Sequence, residues 1–214
     1  MKPNGVAAVL DVAHRRVVCV GAGPVAVRKL RKVMGKAQTV IVIAPKAEPM
    51  IRDWHEAGQL IWYPRTFAAD DVQQGDIVIS AAGAQVSALV KTAAHTKGAW
   101  LNDAVNAAEG DLMLPANWES GSLTGTVTSQ GAMPRLVALL TRDLEKQYAD
   151  IGAFAAELAP LRQKVRELLP QSAERQAFWR MYLPDDTLER IRRGEKEIIK
   201  GEILHAIGRL GAES

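Results

Sequence analysis

The chain has 214 residues, 48% hydrophobic and 24% charged, with 27 Lys and Arg against 24 Asp and Glu, for a net charge of +3. This is the balance of a globular protein that can bury a core, with room for one α/β domain and a smaller appended region. No apolar run reaches the ~18 residues of a membrane span, and the lone cysteine, Cys19, excludes an internal disulfide or a Cys-rich metal site.

From the N-terminus, MKPNGVAAVLDVAHRR holds an apolar stretch too short to read as a signal peptide, and Asp11 breaks it. RVVCV (16–20) is β-branched and ends at glycine, which predicts a buried parallel strand. In PVAVRKLRKVM (24–34), Val27, Leu30 and Met34 recur at helical spacing, with Pro24 in the first turn, where a missing N–H costs nothing. Strands follow at 39–44, 60–63, 76–80 and 99–102, with helices at 47–57 and 85–97 between them. Short apolar strands alternating with helices predict a Rossmann-type doubly wound parallel sheet over residues 1–110.

The pattern changes after residue 110. LMLPA (112–116) and SLTGTVTS (122–129) read as two strands with no helix between them. In the second, Thr124, Thr126 and Thr128 share one face, while Leu123, Gly125 and Val127 share the other. A helix is expected at 134–147, and a second apolar stripe follows at Phe154, Leu158, Leu161, Val165 and Leu168. Shorter helices come after Pro170. Two strands and one helix are too little to fold alone. The predicted division is therefore a dinucleotide-binding domain at 1–110, a small α+β dimerisation segment at 111–149, and a C-terminal helical region at 150–214.

GAGPVA (21–26) is G-x-G-x-x-A, directly after a strand and before a helix. Gly21 would allow the tight turn, Gly23 the approach of backbone to a pyrophosphate, and Ala26 close helix–strand packing. The helix N-terminus would supply N–H groups to the phosphates. The acidic residue that commonly meets the ribose at the end of strand two is absent, since Ala44-Pro45-Lys46 stands there. Lys46 near a 2′-phosphate would favour NADP, whereas backbone contacts to the ribose would favour NAD, and composition leaves both open. Basic residues are denser at 28–32 and 190–200 but form no aromatic-interleaved stripe, which argues against nucleic acid and for an anionic small ligand.

VCVGAGPVAVRKLRKV, IVIAP, LNDAVNAAEGDLMLPA and GSLTGTVTSQGAMPRLVALLTRDLE together resemble the siroheme synthase dehydrogenase family over about residues 15–195. The most specific pieces are G-x-G-x-V-A-x-R-K and V-x-S-x-G-x-x-P-x-L. The resemblance implies a homodimeric precorrin-2 dehydrogenase that passes hydride to NAD and forms sirohydrochlorin, and the single cysteine fits a reducing cytoplasm. Some members also insert ferrous iron. It places cofactor contacts at Gly21, Gly23, Pro24, Val25, Pro45, Lys46, Ala82 and Gly83, and substrate contacts at Ser129 and Gly131. The family's active-site aspartate falls on Val105 here, and Asp103 stands two residues earlier. The family's A-T-D or A-T-N turn after strand four is Ala81-Ala82-Gly83-Ala84.

Asp103 is the candidate proton acceptor; its simpler reading is a carboxylate that caps a loop turn. For Ser129 the simpler reading is a helix cap, and for Asp111 the start of a strand. His14, His55, His95 and His205 show no metal-ligand spacing, and the five tryptophans read as packing residues. A dehydrogenase that also chelates iron and a non-catalytic nucleotide-sensing module are the competing functions.

Overall fold

The computed structural model describes residues 5–212. The chain divides into two units: one of residues 1–115 with 130–132, the other of 116–129 with 133–214.

In the first unit the apolar runs become β1 (Arg16–Val20), β2 (Thr39–Ile43), β3 (Ile61–Tyr63), β4 (Ile77–Ser80) and β5 (Trp100–Asp103), in the order β3-β2-β1-β4-β5. Each neighbouring pair is parallel. Alternate residues of β1 serve opposite cores, as the period of two requires. Val17 and Cys19 pack with Ala26 and Leu30 of α1 (Pro24–Leu30) and Ile51 of α2 (Pro49–Glu56). Val18 and Val20 pack with Val90, Ala93 and Ala94 of α3 (Ala84–Lys97). Burial on both faces explains why the strands read as unbroken apolar runs. It also makes the Cys19 thiol inert: desolvation pushes its pKa up to about 12.

The amino end of the sheet is held by one ion pair. Arg16 donates through Nε to Asp76 Oδ1 at 3.0 Å and through Nη2 to Oδ2 at 2.7 Å. The same Nη2 reaches the Asp71 carbonyl, and the Gln73 N–H donates to Asp76 Oδ2. Asp76 is buried, so the bidentate geometry must compensate for its desolvation.

The segment after β5 departs from expectation. Of LMLPA, residues 112–115 form no strand, and Ala116 only begins the next one. The N–H groups of Asp111 and Leu112 both donate to the Leu101 carbonyl, and Leu112 and Leu114 pack onto the α1–α2 core. Pro115 has no N–H to give a ladder. The hairpin instead pairs β6 (Ala116–Ser120) with β7 (Leu123–Val127), antiparallel, with Ser120 opposite Leu123. The two-residue turn Gly121-Ser122, with φ +53° at Gly121, sets that register. On β7 the expected alternation holds: Thr124 and Thr126 are exposed, Leu123, Gly125 and Val127 partly buried.

The hairpin packs on α4 (Pro134–Leu168), a single helix of 35 residues. The sequence pattern suggested two segments divided at 149/150, but no helix breaker stands there. Gly152 lies at the hairpin contact instead, with the Ser120 carbonyl where its Cβ would stand. Ser120 Oγ donates to the Ala149 carbonyl beside it. Beyond that point the expected stripe is buried: Phe154, Leu161 and Val165 pack with Phe178 of α5 (Ser172–Tyr182), Ile191 of α6 (Thr187–Arg192), and Ile199 and Ile203 of α7 (Lys196–Ala212).

Replacing Asp76 with Ala leaves the Arg16 guanidinium and the Gln73 N–H without their acceptor. The native state should lose about 3 kcal/mol, the lower end for breaking a buried pair. Urea unfolding followed by circular dichroism measures it. A loss under ~1 kcal/mol, the range of exposed pairs, would mean the pair does not anchor the sheet edge.

Candidate functional site

The carboxyl ends of β1 and β4 are adjacent, and the helices that follow them lie on opposite faces of the sheet. This is the switch point at which open α/β sheets form a ligand crevice. Gly21 opens the loop after β1 with φ +102°, and a Cβ there would lie 2.5 Å from the Ala81 carbonyl oxygen. Its N–H donates to the Ile43 carbonyl at 2.9 Å, while the Ala81 N–H donates to the Val20 carbonyl at 2.8 Å. The loop is thereby sewn to the ends of both neighbouring strands.

Gly23 behaves differently. It is the N-cap of α1 with φ −87°, a conformation open to any residue, and nothing lies within 4 Å of a Cβ placed on it. The fold itself does not require glycine here, so the vacant cradle is available to a ligand. No side chain caps α1, and Pro24 follows at its first position. The Val25 and Ala26 N–H groups are thus left for an anion. Ala26 is buried against the sheet, as its place in the motif requires. At the neighbouring turn, Gly83 is the N-cap of α3, also without a side-chain cap and with open space at its Cβ. Ala82 packs against the core on the α3 side. These residues fit a pyrophosphate-bearing dinucleotide.

At the end of β2, Pro45 and Lys46 are exposed. The Trp62 indole N–H donates to the Ala44 carbonyl at 3.0 Å and fixes the strand end. Glu48, which the sequence reading passed over, comes back to the loop: its N–H donates to the Ala22 carbonyl at 3.0 Å. Its signal was weak, because it stands four residues past Ala44, beyond the usual ribose position.

Asp103 is 5% exposed. Its Oδ1 accepts the N–H groups of Val105 (2.7 Å) and Asn106 (3.0 Å), and its Oδ2 accepts the Ser87 hydroxyl (2.8 Å). Ser80 in turn donates to Ser87 at 3.0 Å. The turn-capping reading describes this geometry. Val105, which the resemblance sets at the family's aspartate, is 50% exposed. Beside it, Lys29 Nζ donates to Asn102 Oδ1 at 2.6 Å, and Asn102 Nδ2 donates to the Leu112 carbonyl at 2.9 Å. Lys32 donates to the Pro115 carbonyl. Helix α1 therefore grips the segment after β5 through two lysines. Burial lowers the Lys29 pKa, and neighbouring Arg28 adds to the effect.

Asp111 completes the edge of β5 by accepting the Leu101 N–H and lies 3.9 Å from His95, a structural role. Ser129 accepts the Met133 N–H at 2.9 Å just before α4, with Gln130 and Gly131 in the left-handed region. The Gly131 Cβ position is open. Trp118 stacks on Tyr148, Trp179 meets Phe178 edge-on, and Trp62 meets His55 edge-on. Trp100 is exposed. Among the described residues, no three His, Cys, Asp or Glu side chains form a group that could hold a metal ion, and no helix is long and apolar enough to cross a membrane.

A family model described as "Putative NAD(P)-binding" matches residues 8–116, and one described as sirohaem synthase dimerisation region matches 150–207. The second match falls on the helical region, not on the 111–149 segment to which dimerisation was ascribed. A siroheme synthase of Nitrosococcus oceani is 28% identical over 203 residues, covering 92% of this chain and 43% of that protein. One from Methylococcus capsulatus is 30% identical over 189 residues, covering 87% and 40%. A precorrin-2 dehydrogenase of Priestia megaterium is 28% identical over 141 residues, covering 65% and 69%. The chain thus spans about two fifths of the length of the siroheme synthases it matches. The solved structure of SirC, a precorrin-2 dehydrogenase, superposes with a TM-score of 0.77 at 21% identity, covering 96% of this chain and all of that one, and it shares the fold.

The half-buried Lys29 makes a prediction about pH. Between its depressed folded pKa and the ordinary 10.5, the unfolded chain binds more protons at Lys29 than the native state does. The native state should therefore gain stability relative to a Lys29→Met variant as pH rises toward about 10.5. Unfolding free energies of both proteins at neutral and alkaline pH give the difference. One that stays flat or falls with pH would contradict the desolvation of Lys29.

Proposed function

The chain belongs to the NAD(P)-binding family whose model spans residues 8–116, and from that premise we propose that it oxidises precorrin-2 to sirohydrochlorin with NAD as hydride acceptor. The observation that carries the reading is the β1–Gly21–Gly23–α1 loop at the switch point, with Gly23 open although the fold does not require it. Relatives named siroheme synthase and precorrin-2 dehydrogenase support the substrate class. The unpaired, inert Cys19 fits a reducing cytoplasmic setting.

When bound, the nicotinamide supplies an acceptor for the hydride, and the proton lost with it must also leave the substrate. Most of the remaining demand is alignment. Gly21, Gly23, Pro24 and Val25 hold the pyrophosphate, Ala82 and Gly83 line the neighbouring turn, and Pro45 and Lys46 lie toward the adenosine. Ser129 and Gly131 are proposed to meet the carboxylates of the macrocycle. Asp103 acts as a positioning residue, since its oxygens order the turn at Val105 and Asn106 and tie it to Ser87. Iron insertion is expected to be weak: removing pyrrole protons and guiding a cation suit a carboxylate, and Val105 offers none.

Purified protein given precorrin-2 and NAD should form NADH, and Gly23→Val should abolish this without lowering the unfolding midpoint. Asp103→Asn keeps an acceptor oxygen for both N–H groups and should retain activity within about threefold. Loss of about 10²-fold, the scale of a missing general base, would instead make Asp103 the proton acceptor. Wild type that binds NAD yet oxidises nothing would favour a nucleotide-sensing module. Robust siroheme formation from sirohydrochlorin and ferrous iron would overturn the monofunctional reading.

We also propose a homodimer. The first turns of α4 expose Met133, Leu136, Leu139 and Leu140, with Leu136 58% exposed. An apolar face of this kind marks an interaction surface, and its proposed occupant is a second copy of this chain; the match to a dimerisation region lies further along the chain, at residues 150–207. Sedimentation at low micromolar concentration should give twice the 23.2 kDa chain mass. Leu136→Glu with Leu140→Glu should give the monomer; a wild-type monomer would end the proposal.

A further inference from the structure

The end of β2 poses a problem for the cofactor reading. A dinucleotide site needs a group for the adenosine ribose, and Ala44, Pro45 and Lys46 offer no carboxylate. The chain then turns back. Glu48 is pinned by its own N–H to the carbonyl of Ala22, the middle residue of the phosphate loop. A hydrogen bond at that point keeps the Glu48 backbone beside the loop wherever the side chain goes.

Two further observations concern that side chain. Glu48 is the N-cap of α2, yet its carboxylate makes no capping bond. Among the described residues it has no hydrogen-bond or ion-pair partner, although two arginines share its cleft. The cleft has a volume of about 310 Å³ and is lined by Pro24, Val27, Arg28, Arg31, Glu48 and Met50. Pro24 is the first residue of α1, so the cleft begins where the pyrophosphate would sit. Arg28 and Arg31 lie four and seven residues further along, about 6 and 10 Å of helix rise away.

We infer that Glu48 is the specificity-determining residue that holds the adenosine ribose and selects NAD over NADP. The inference rests on the cofactor reading above and adds the group that reading lacks. Of the polar side chains in the cleft, Glu48 is tied closest to the loop, so it meets the sugar next to the pyrophosphate. A carboxylate is acceptor-only and can take both ribose hydroxyls at once. The 2′-phosphate of NADP would remove one hydroxyl and bring negative charge against the carboxylate. The arginines lie further out, toward the adenine.

Calorimetric titration of the full chain with NAD and with NADP tests this without turnover. Wild type should bind NAD at least about tenfold more tightly than NADP. Glu48→Gln should weaken NAD about tenfold, the ~1.4 kcal/mol that one charge-assisted hydrogen bond provides. With NADP affinity unchanged or higher, the preference for NAD should fall by at least about tenfold, with the unfolding midpoint of the free protein unchanged. Unchanged NAD affinity in Glu48→Gln, or a wild type that prefers NADP, overturns the ribose assignment and leaves the cofactor reading standing. A wild type that binds neither nucleotide overturns both.

Discussion

The carbonyl oxygen of Ala81 occupies the space that any side chain on residue 21 would need, and the rest of the first unit is arranged around that contact. It forces glycine at the start of the loop, and the positive φ at Gly21 turns the chain from β1 toward α1. The hydrogen bonds from Gly21 to Ile43 and from Ala81 to Val20 bring three strand ends to one level. With the turns so close, the starts of α1 and α3 flank one crevice from opposite faces of the sheet. Gly21 and Gly23 are chemically identical but do different jobs. The first is dictated by packing, and the second is a vacancy that the fold tolerates and a ligand can use.

A second set of constraints surrounds the end of β5. Asn102 is clamped by Lys29 and by the Leu112 carbonyl, and Asp103 is clamped by Ser87 and the turn it caps. The strand end is thus connected to α1 through a half-buried lysine and to α3 through a serine. Desolvating Lys29 is unfavourable, as its lowered pKa reports. The charge-assisted bond to Asn102 offsets part of that and makes the strand end rigid. Such rigidity fixes the start of the loop that follows, in which Val105 is half exposed.

In the second unit the corresponding constraint is the contact between the hairpin turn and Gly152. A residue without Cβ lets the Ser120 carbonyl reach the helix backbone, and Gly121 faces the Gly152 carbonyl in return. The contact sits near the middle of α4. The residues after it are buried among α5, α6 and α7, whereas the first turns keep leucines in solvent. One continuous helix therefore carries both an internal core and an apolar surface.

What could be read from the sequence was what repeats locally. Alternating apolar runs gave away the parallel sheet because strands buried on both faces must be apolar throughout. G-x-G-x-x-A was legible because strand, turn and helix are contiguous. The stripe from Phe154 to Leu168 was legible because helical period is a local property. Three features depended on tertiary structure. The hairpin shifted to Ala116–Ser120 because Leu112 and Leu114 were taken by the sheet's core, a competition that local pattern does not express. Asp103 caps its turn through local N–H groups, but its second oxygen is satisfied by Ser87, sixteen residues away, a partner that local pattern does not show. Glu48 entered the site through one backbone hydrogen bond to Ala22. Secondary structure follows from spacing along the chain, but a site is built from groups distant in sequence, and only the packed sheet determines which of them meet.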